Sequence, residues 1–328
     1  MSGNEELDPE RLNKSWSRFW TTPAVTALPE TFPGGYDGAM LDFWEEQLDG
    51  EFGHIVDLAT GNGALVWIAC DIQKRRDKPA RVTGVDLADI DPFTVLNRSP
   101  DEYPAVSFIG NTSVDALPFA DHSVDVVISQ YGIEYSDLEK TIAEIARVLT
   151  LSGKMCFILH DRDSVIVRGM TNKLTHCNDL IADHEFHDLT GKFIALQGRF
   201  ASTLQLQASV EYQTLGGKLY QKLLQLKPRL DQYPRTSPLN AYIQSWSVLT
   251  NPATDLTTPE REQQANTALA ELIAGAEKLA EVKAAALTSA DREALARFIG
   301  QHGFKISRFE ALEYNDGRNW GTKLVAQR

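Results

Sequence analysis

Two carboxylates stand out for what surrounds them. Asp57 closes the β-branched run His54-Ile55-Val56 and leads through Leu58-Ala59-Thr60 into Gly61-Asn62-Gly63, after which Ala64-Leu65-Val66-Trp67-Ile68-Ala69 carries apolar residues at helical spacing. The pattern reads as strand, tight loop, helix. Gly61 and Gly63 lack a Cβ, so the backbone can take positive φ there and a ligand can lie against the main chain, where the free N–H groups of the following helix also point. Asp86 closes a second run of the same kind, Arg81-Val82-Thr83-Gly84-Val85-Asp86-Leu87, one helix and one return later. An acid at the carboxyl end of such a strand can accept hydrogen bonds from both hydroxyls of a ribose; the same acid can also simply cap the next helix.

The loop excludes two common phosphate cradles. A dinucleotide fingerprint, G-x-G-x-x-G counted from Gly61, would need glycine where Val66 stands, and no Gly-Lys-Ser/Thr follows as a P-loop requires. Asp57 would repel a pyrophosphate and suits a cationic group. The pattern Asp57-Leu-Ala-Thr-Gly-Asn-Gly63 resembles the first motif of class I S-adenosylmethionine-dependent methyltransferases, an acid followed by G-x-G-x-G. Ala59 replaces the first glycine, which is expected to work if that residue keeps negative φ. Downstream, Leu117-Pro118-Phe119 followed by Ala-Asp-His-Ser-Val-Asp-Val-Val resembles a block of the ubiquinone-biosynthesis-like, type 11-like methyltransferase domains, in which an acid four residues before the leucine contacts adenine. That position is Ser113 here, so either Ser113 with the Val114 backbone N–H reads the adenine edge or Asp115 does.

The resemblance covers residues 37–161 and 289–328. It implies an α/β fold, a doubly wound, seven-stranded, mostly parallel sheet of the Rossmann-like methyltransferase type with the last strand antiparallel, carrying a large helical insertion. It implies S-adenosyl-L-methionine as cofactor, held by Asp57, Ala59, Thr60, Gly61, Asn62, Gly63, Asp86, Leu87, Ser113, Val114, Asp115 and Gln130. In that set Asp57 lies near the amino end of the methionine moiety, Gly61 and Gly63 lie beneath the cofactor and Asp86 takes the ribose.

Methyl transfer is an in-line displacement, so alignment of nucleophile and methyl supplies most of what is needed. A base helps an O–H or N–H acceptor if its pKa sits near working pH. His160, Tyr131, Glu134 and Tyr135 are candidates by position, because ligands of open α/β sheets sit beyond the carboxyl ends of the strands. The reading is an enzyme acting on a small-molecule acceptor. Its rivals are a cofactor-binding partner or regulatory protein without turnover, and a protein methyltransferase with an open acceptor channel.

The elements that would position these residues follow in order. Residues 1–36 form an aromatic, helical segment in which Trp16 and Trp20, four apart, share a face; it either packs on the core or closes as a lid. Tyr36 to Leu48 reads as an amphipathic helix. Strands are expected at Ala105–Gly110, Val124–Ser129 and Lys154–Leu159, the fourth continuously apolar as a strand covered on both faces should be. Ser136 and Glu139 read as a capping box for a helix buried through Leu138, Ile142, Ile145, Ala146 and Leu149 and stopped by Gly153. Residues 162–288 read as the helical insertion, a substrate cap, with Leu174, Cys177, Leu180, Ile181 and His184 on one helix, and Leu269, Leu272, Ile273, Ala276 and Leu279 on another. A turn region is expected at 227–238. A helix from Ser289, a strand at Phe304–Tyr314, the turn Asn315-Asp316-Gly317 and a strand at Trp320–Ala326 end the chain.

Composition fits this reading. The chain has 328 residues, 43% hydrophobic and 23% charged, within the globular class, and no apolar run approaches a membrane span. Its first ten residues are acidic and polar, unlike a signal peptide, and Cys70, Cys156 and Cys177 are too few and too spread for a disulfide framework. A cytoplasmic setting is expected. The net charge of −13 argues against nucleic acid as partner. Around His176, Cys177, Asp179, Asp183, His184, His187 and Asp188 nothing fits H-E-x-x-H, and no metal is expected. The oligomeric state is left open.

Overall fold

Val56, Val126, Val127 and Ile128 have no solvent exposure, because their strands are covered on both faces and successive side chains, not only alternate ones, must be apolar. They belong to a computed structural model of the protein that describes residues 7–75 and 80–328. The first six residues of the N-terminal segment, and the expected tail of the glycine-loop helix past Arg75, lie outside these.

The chain opens with α1 (Pro9–Trp20) and α2 (Gly38–Gln47), then runs β1 (His54–Leu58), α3 (Ala64–Arg75), β2 (Arg81–Val85), the single turn α4 (Pro92–Val95), β3 (Val106–Ile109), β4 (Val124–Gln130), α5 (Leu138–Val148) and β5 (Leu149–Leu159). After a run of helices, α6 (Val165–Ile181), α7 (His184–Gln197), α8 (Thr203–Ala208), α9 (Val210–Leu230), α10 (Pro238–Thr250) and α11 (Thr258–Ala285), it returns through α12 (Ser289–Gln301) to β6 (Lys305–Glu313) and β7 (Asn319–Gln327).

The strands form one seven-stranded sheet in the order β3-β2-β1-β4-β5-β7-β6. Strands β1 to β5 pair in parallel and β7 runs antiparallel to both its neighbours. The fold class is therefore the doubly wound α/β sheet expected from the sequence. Strand order reverses between β1 and β4, and that switch point is where such sheets open a crevice at their carboxyl ends.

Two compact units emerge: one through Arg168 and again Glu281–Arg328, the other Gly169–Ala280. In the first, Leu58, Val127, Phe157, Ile142, Ile145, Leu295, Ile299 and Leu324 pack one face of the sheet against α5 and α12. The second is helical, with its own core of Leu174, Cys177, Phe186, Trp246 and Leu272 among others. Among the described residues no helix is long and apolar enough to cross a membrane.

Three local readings need correction. The N-cap of α5 is Asp137, whose carboxylate accepts from Lys140 N, whereas the Ser136 hydroxyl turns back to Ile133 O at 2.6 Å and to Thr141 Oγ1. Asp137 wins because it directly precedes Leu138, the first helical residue, so its side chain reaches the first free N–H groups. Gly153 does not stop that helix: Leu149 already has extended φ and ψ, opens β5 and pairs with Val124, leaving Gly153 inside the strand. His184 does not continue the helix of Leu174 to Ile181; Asp183 caps a new one there by accepting from Phe186 N at 3.0 Å. The histidine-rich stretch is likewise spent on structure: His176 meets the Tyr233 hydroxyl, Asp179 pairs with Arg229, His187 bonds Leu180 O and Asp188 pairs with Lys192.

Candidate functional site

A cavity of about 750 Å³ lies at the carboxyl ends of β1, β2, β3 and β4. Its wall takes Asp57, Ala59 and Thr60 from the first loop, Asp86 and Leu87 from the second, Ser113, Val114 and Asp115 from the third, and Gln130, Tyr131, Glu134 and Tyr135 from the fourth. Thus twelve of the sixteen sequence-predicted site residues border one space; both readings of the adenine contact, Ser113 with Val114 and Asp115, place their residues on it. The third loop is held from behind: Glu144 Oε1 accepts from Leu117 N at 2.7 Å, and Arg147 donates to the carbonyls of Leu117 and Phe119.

The other four, Gly61, Asn62, Gly63 and His160, sit behind the wall. Gly61 and Gly63 do have positive φ, 53° and 81°, but the space left by their missing side chains is filled by protein: a Cβ would stand 2.3 Å from Trp20 Cζ2 at the first and 2.7 Å from Phe108 Cζ at the second. Asn62 is fully buried and its Nδ2 donates to Thr22 O at 3.0 Å and to Ala24 O at 2.9 Å. The His160 ring is stacked on Tyr131 at 4.4 Å, and burial pushes it down to about 3, so it stays neutral. Ala59 overturns the expectation of negative φ. It stands at φ 54°, the left-handed conformation that explains why glycine is usual there, at a cost of about 1–2 kcal/mol.

Three carboxylates on the wall, Asp57, Asp86 and Glu134, are buried, and burial dominates their chemistry. Asp57 is pushed up to about 8 by burial against the help of the Thr60 hydroxyl, which donates to its Oδ2 at 2.6 Å. Asp86 is pushed up to about 6, again by burial, while its two oxygens accept from Gly61 N at 2.7 Å and Ala88 N at 2.8 Å. Glu134 is pushed up to about 7 by burial; Oε1 accepts from His160 N at 2.7 Å and Oε2 has no hydrogen-bond partner. A carboxylate oxygen carries two lone pairs, so Asp86 retains acceptor capacity for hydroxyls. Gln130 has less to offer: its amide is held from behind by Trp44 Nε1 at 2.6 Å and by Met40 Sδ.

The N-terminal segment completes the wall with Leu12, Trp16, Trp20, Val25, Thr26 and Tyr36. Trp16 stacks on Trp20 and meets Tyr135 edge-on at 5.7 Å. Leu12 and Trp20 of this segment are buried and also border the cavity. It is tied to the loop after β2: Asn13 Nδ2 donates to Leu87 O, and Asp89 N donates to the Ser17 hydroxyl at 2.8 Å. Sequence reasoning missed Asn13 and Ser17, and gave Asn62 to the ligand. Polar residues at helical positions carry no local sign of partners some seventy positions away.

Residues 56–157 match the family model of a methyltransferase domain. No curated protein matches the chain. Among solved structures, a complex between the Haloferax volcanii Trm112 methyltransferase activator and a chain described as a methyltransferase is 22% identical over 44% of this chain and 60% of that one, with a TM-score of 0.36. Geranyl diphosphate C-methyltransferase from Streptomyces coelicolor A3(2), solved with Mg2+, geranyl diphosphate and S-adenosyl-L-homocysteine, is 24% identical over 38% of this chain and 45% of that one, at 0.32. A protein from Pyrococcus horikoshii OT3 is 23% identical over 42% and 66%, also at 0.32. In each case the chain spans less than two thirds of the solved chain's length.

Proposed function

From the premise that residues 56–157 are a class I S-adenosylmethionine-dependent methyltransferase domain, we propose that this protein transfers a methyl group from S-adenosyl-L-methionine to a small-molecule acceptor enclosed with the cofactor. The observation that carries the reading is the shared cavity: the acids at the ends of β1 and β2 and the aromatic face of α1 border the same 750 Å³. Sites for small molecules run to about 300–1,000 Å³, so there is room for a nucleoside and a small partner.

The donor set fits this cofactor. Asp57 is a buried acid with no buried cation beside it on the cavity wall among the described residues, and it suits the ammonium of the methionine end. Asp86 presents lone pairs to ribose hydroxyls, and Ser113, Val114 and Asp115 supply donors and acceptors for the adenine edge. Bound there, the cofactor supplies an electrophilic methyl on positive sulfur. The chain itself does three things. It binds the methionine ammonium through Asp57 and the ribose through Asp86. It excludes water with α1 and its tryptophans, which strengthens every electrostatic interaction inside. It holds an acceptor at near-attack distance, where orientation supplies most of the acceleration. Of the four candidate bases, Glu134 is the one with a free oxygen and a pKa near working pH. His160 is a positioning residue, holding Glu134 through its backbone N–H and Tyr131 through its ring.

Calorimetry with S-adenosylhomocysteine tests the reading. Binding followed by turnover over a panel of small acceptors supports it; binding without any turnover favours the partner protein without transfer; no binding at high micromolar concentration discards both.

A further inference from the structure

The same cavity says what kind of acceptor it takes. Six carboxylates border it, Asp57, Asp86, Asp115, Glu134, Asp137 and Asp291, against a single cationic side chain among the described residues, Lys140, which is already paired with Asp137 at 3.0 Å. An acceptor carrying phosphate or carboxylate would meet like charge on every side. Asp57, Asp86 and Asp115 belong to the loops assigned to the cofactor. What remains lies after β4, where two buried polar atoms lack any partner: Glu134 Oε2 and the Tyr135 hydroxyl. An unpartnered buried carboxylate is costly, and both residues stand on the cavity wall. Trp16, edge-on to Tyr135, and Tyr36 border the cavity with them, and aromatic faces attract cations.

We infer that the acceptor is a small amine, bound as its ammonium ion with the nitrogen at Glu134 and Tyr135 and the body among Trp16 and Tyr36, and that the reaction is N-methylation. This rests on the reading of the chain as a methyltransferase and narrows it. The ammonium first gives one proton to Glu134 Oε2, which burial holds close to neutrality as an acid. The freed lone pair then forms the C–N bond as the C–S bond breaks, the electron pair of that bond leaving on sulfur as S-adenosylhomocysteine. The product is the N-methylated ammonium, and Glu134 passes the released proton to solvent.

Benzylamine, benzyl alcohol and benzoate share a ring and differ in head group. They are titrated calorimetrically into the full chain saturated with S-adenosylhomocysteine, near neutral pH. The amine is expected to bind at least about tenfold more tightly than the alcohol, and benzoate not at all. Glu134→Gln, which keeps an acceptor for His160 N, is expected to erase the preference for the amine while leaving S-adenosylhomocysteine affinity unchanged. Equal binding of amine and alcohol, binding of benzoate, or no binding of the amine overturns the inference, and the wild-type series decides this even if the variant does not fold. Weakening of S-adenosylhomocysteine by Glu134→Gln also overturns it, by placing Glu134 in the cofactor subsite. If S-adenosylhomocysteine itself fails to bind the wild type, the methyltransferase reading is what has failed.

Discussion

Trp20 occupies the place a side chain on residue 61 would take: its Cζ2 atom lies 2.3 Å from the position of a Cβ on Gly61. The glycine loop is therefore shaped by the N-terminal helix as much as by any ligand. The absence of a side chain at residue 61 lets an indole seat on the loop, and that indole borders the cavity.

Gly61→Ala combines a positive φ, about 1–2 kcal/mol for a residue with a Cβ, with overpacking against Trp20, about 1–3 kcal/mol. The melting temperature is expected to fall by roughly 4 °C or more, with a change in tryptophan emission as Trp20 is displaced. Ala59→Gly at the neighbouring left-handed position relieves strain and adds backbone entropy in similar amounts, so its melting temperature is expected within about 2 °C of the parent. A Gly61→Ala protein with parental stability and emission would show that Trp20 does not seat there.

Asn62 ties the loop to the N-terminal segment through Thr22 O and Ala24 O. Asn62→Ala leaves two carbonyls without their donor, about 1–3 kcal/mol if they remain buried. Limited proteolysis is expected to cut the segment after α1 faster in this variant than in the parent, and S-adenosylhomocysteine is expected to slow the cut in both. Identical digestion patterns would separate the N-terminal segment from the loop.

Asp57 sets a pH dependence. Its folded pKa of about 8 lies above the ordinary carboxylate value of 3.8, so across that interval the folded state holds more protons than the unfolded one and stability falls as pH rises. Asp57→Asn, which keeps an oxygen to accept from Thr60, removes this loss. The variant is expected to melt like the parent near pH 4 and progressively above it as pH approaches about 8, by roughly 2–4 °C for each kcal/mol relieved. Parallel melting curves over that range would mean that Asp57 is not the buried charge that matters.

Much of this arrangement was legible in the chain. The strands announced themselves because full burial demands apolar, β-branched runs such as Val126–Ile128, and the acids at their ends fixed the crevice through topology. The terminal hairpin was equally clear, since Asn315-Asp316-Gly317 is turn chemistry between two apolar runs. What escaped was set by tertiary contact. Ala59 takes the left-handed region because the loop demands it. Asp137, directly before Leu138, takes the cap while the Ser136 hydroxyl bonds Ile133 O. Asn62 looks like a ligand donor until the N-terminal segment brings Thr22 and Ala24 to it. His160, at a strand end where catalytic residues collect, turns inward to stack on Tyr131.

The central claim is that Asp57 and Asp86, at the ends of neighbouring strands, hold S-adenosylmethionine in this cavity. Calorimetric titration of S-adenosylhomocysteine into the wild type and into Asp86→Ala tests it most directly. One-site binding by the wild type, weakened at least about tenfold in the variant, is the expected result; equal affinity in the two proteins, or no binding by the wild type, would contradict it.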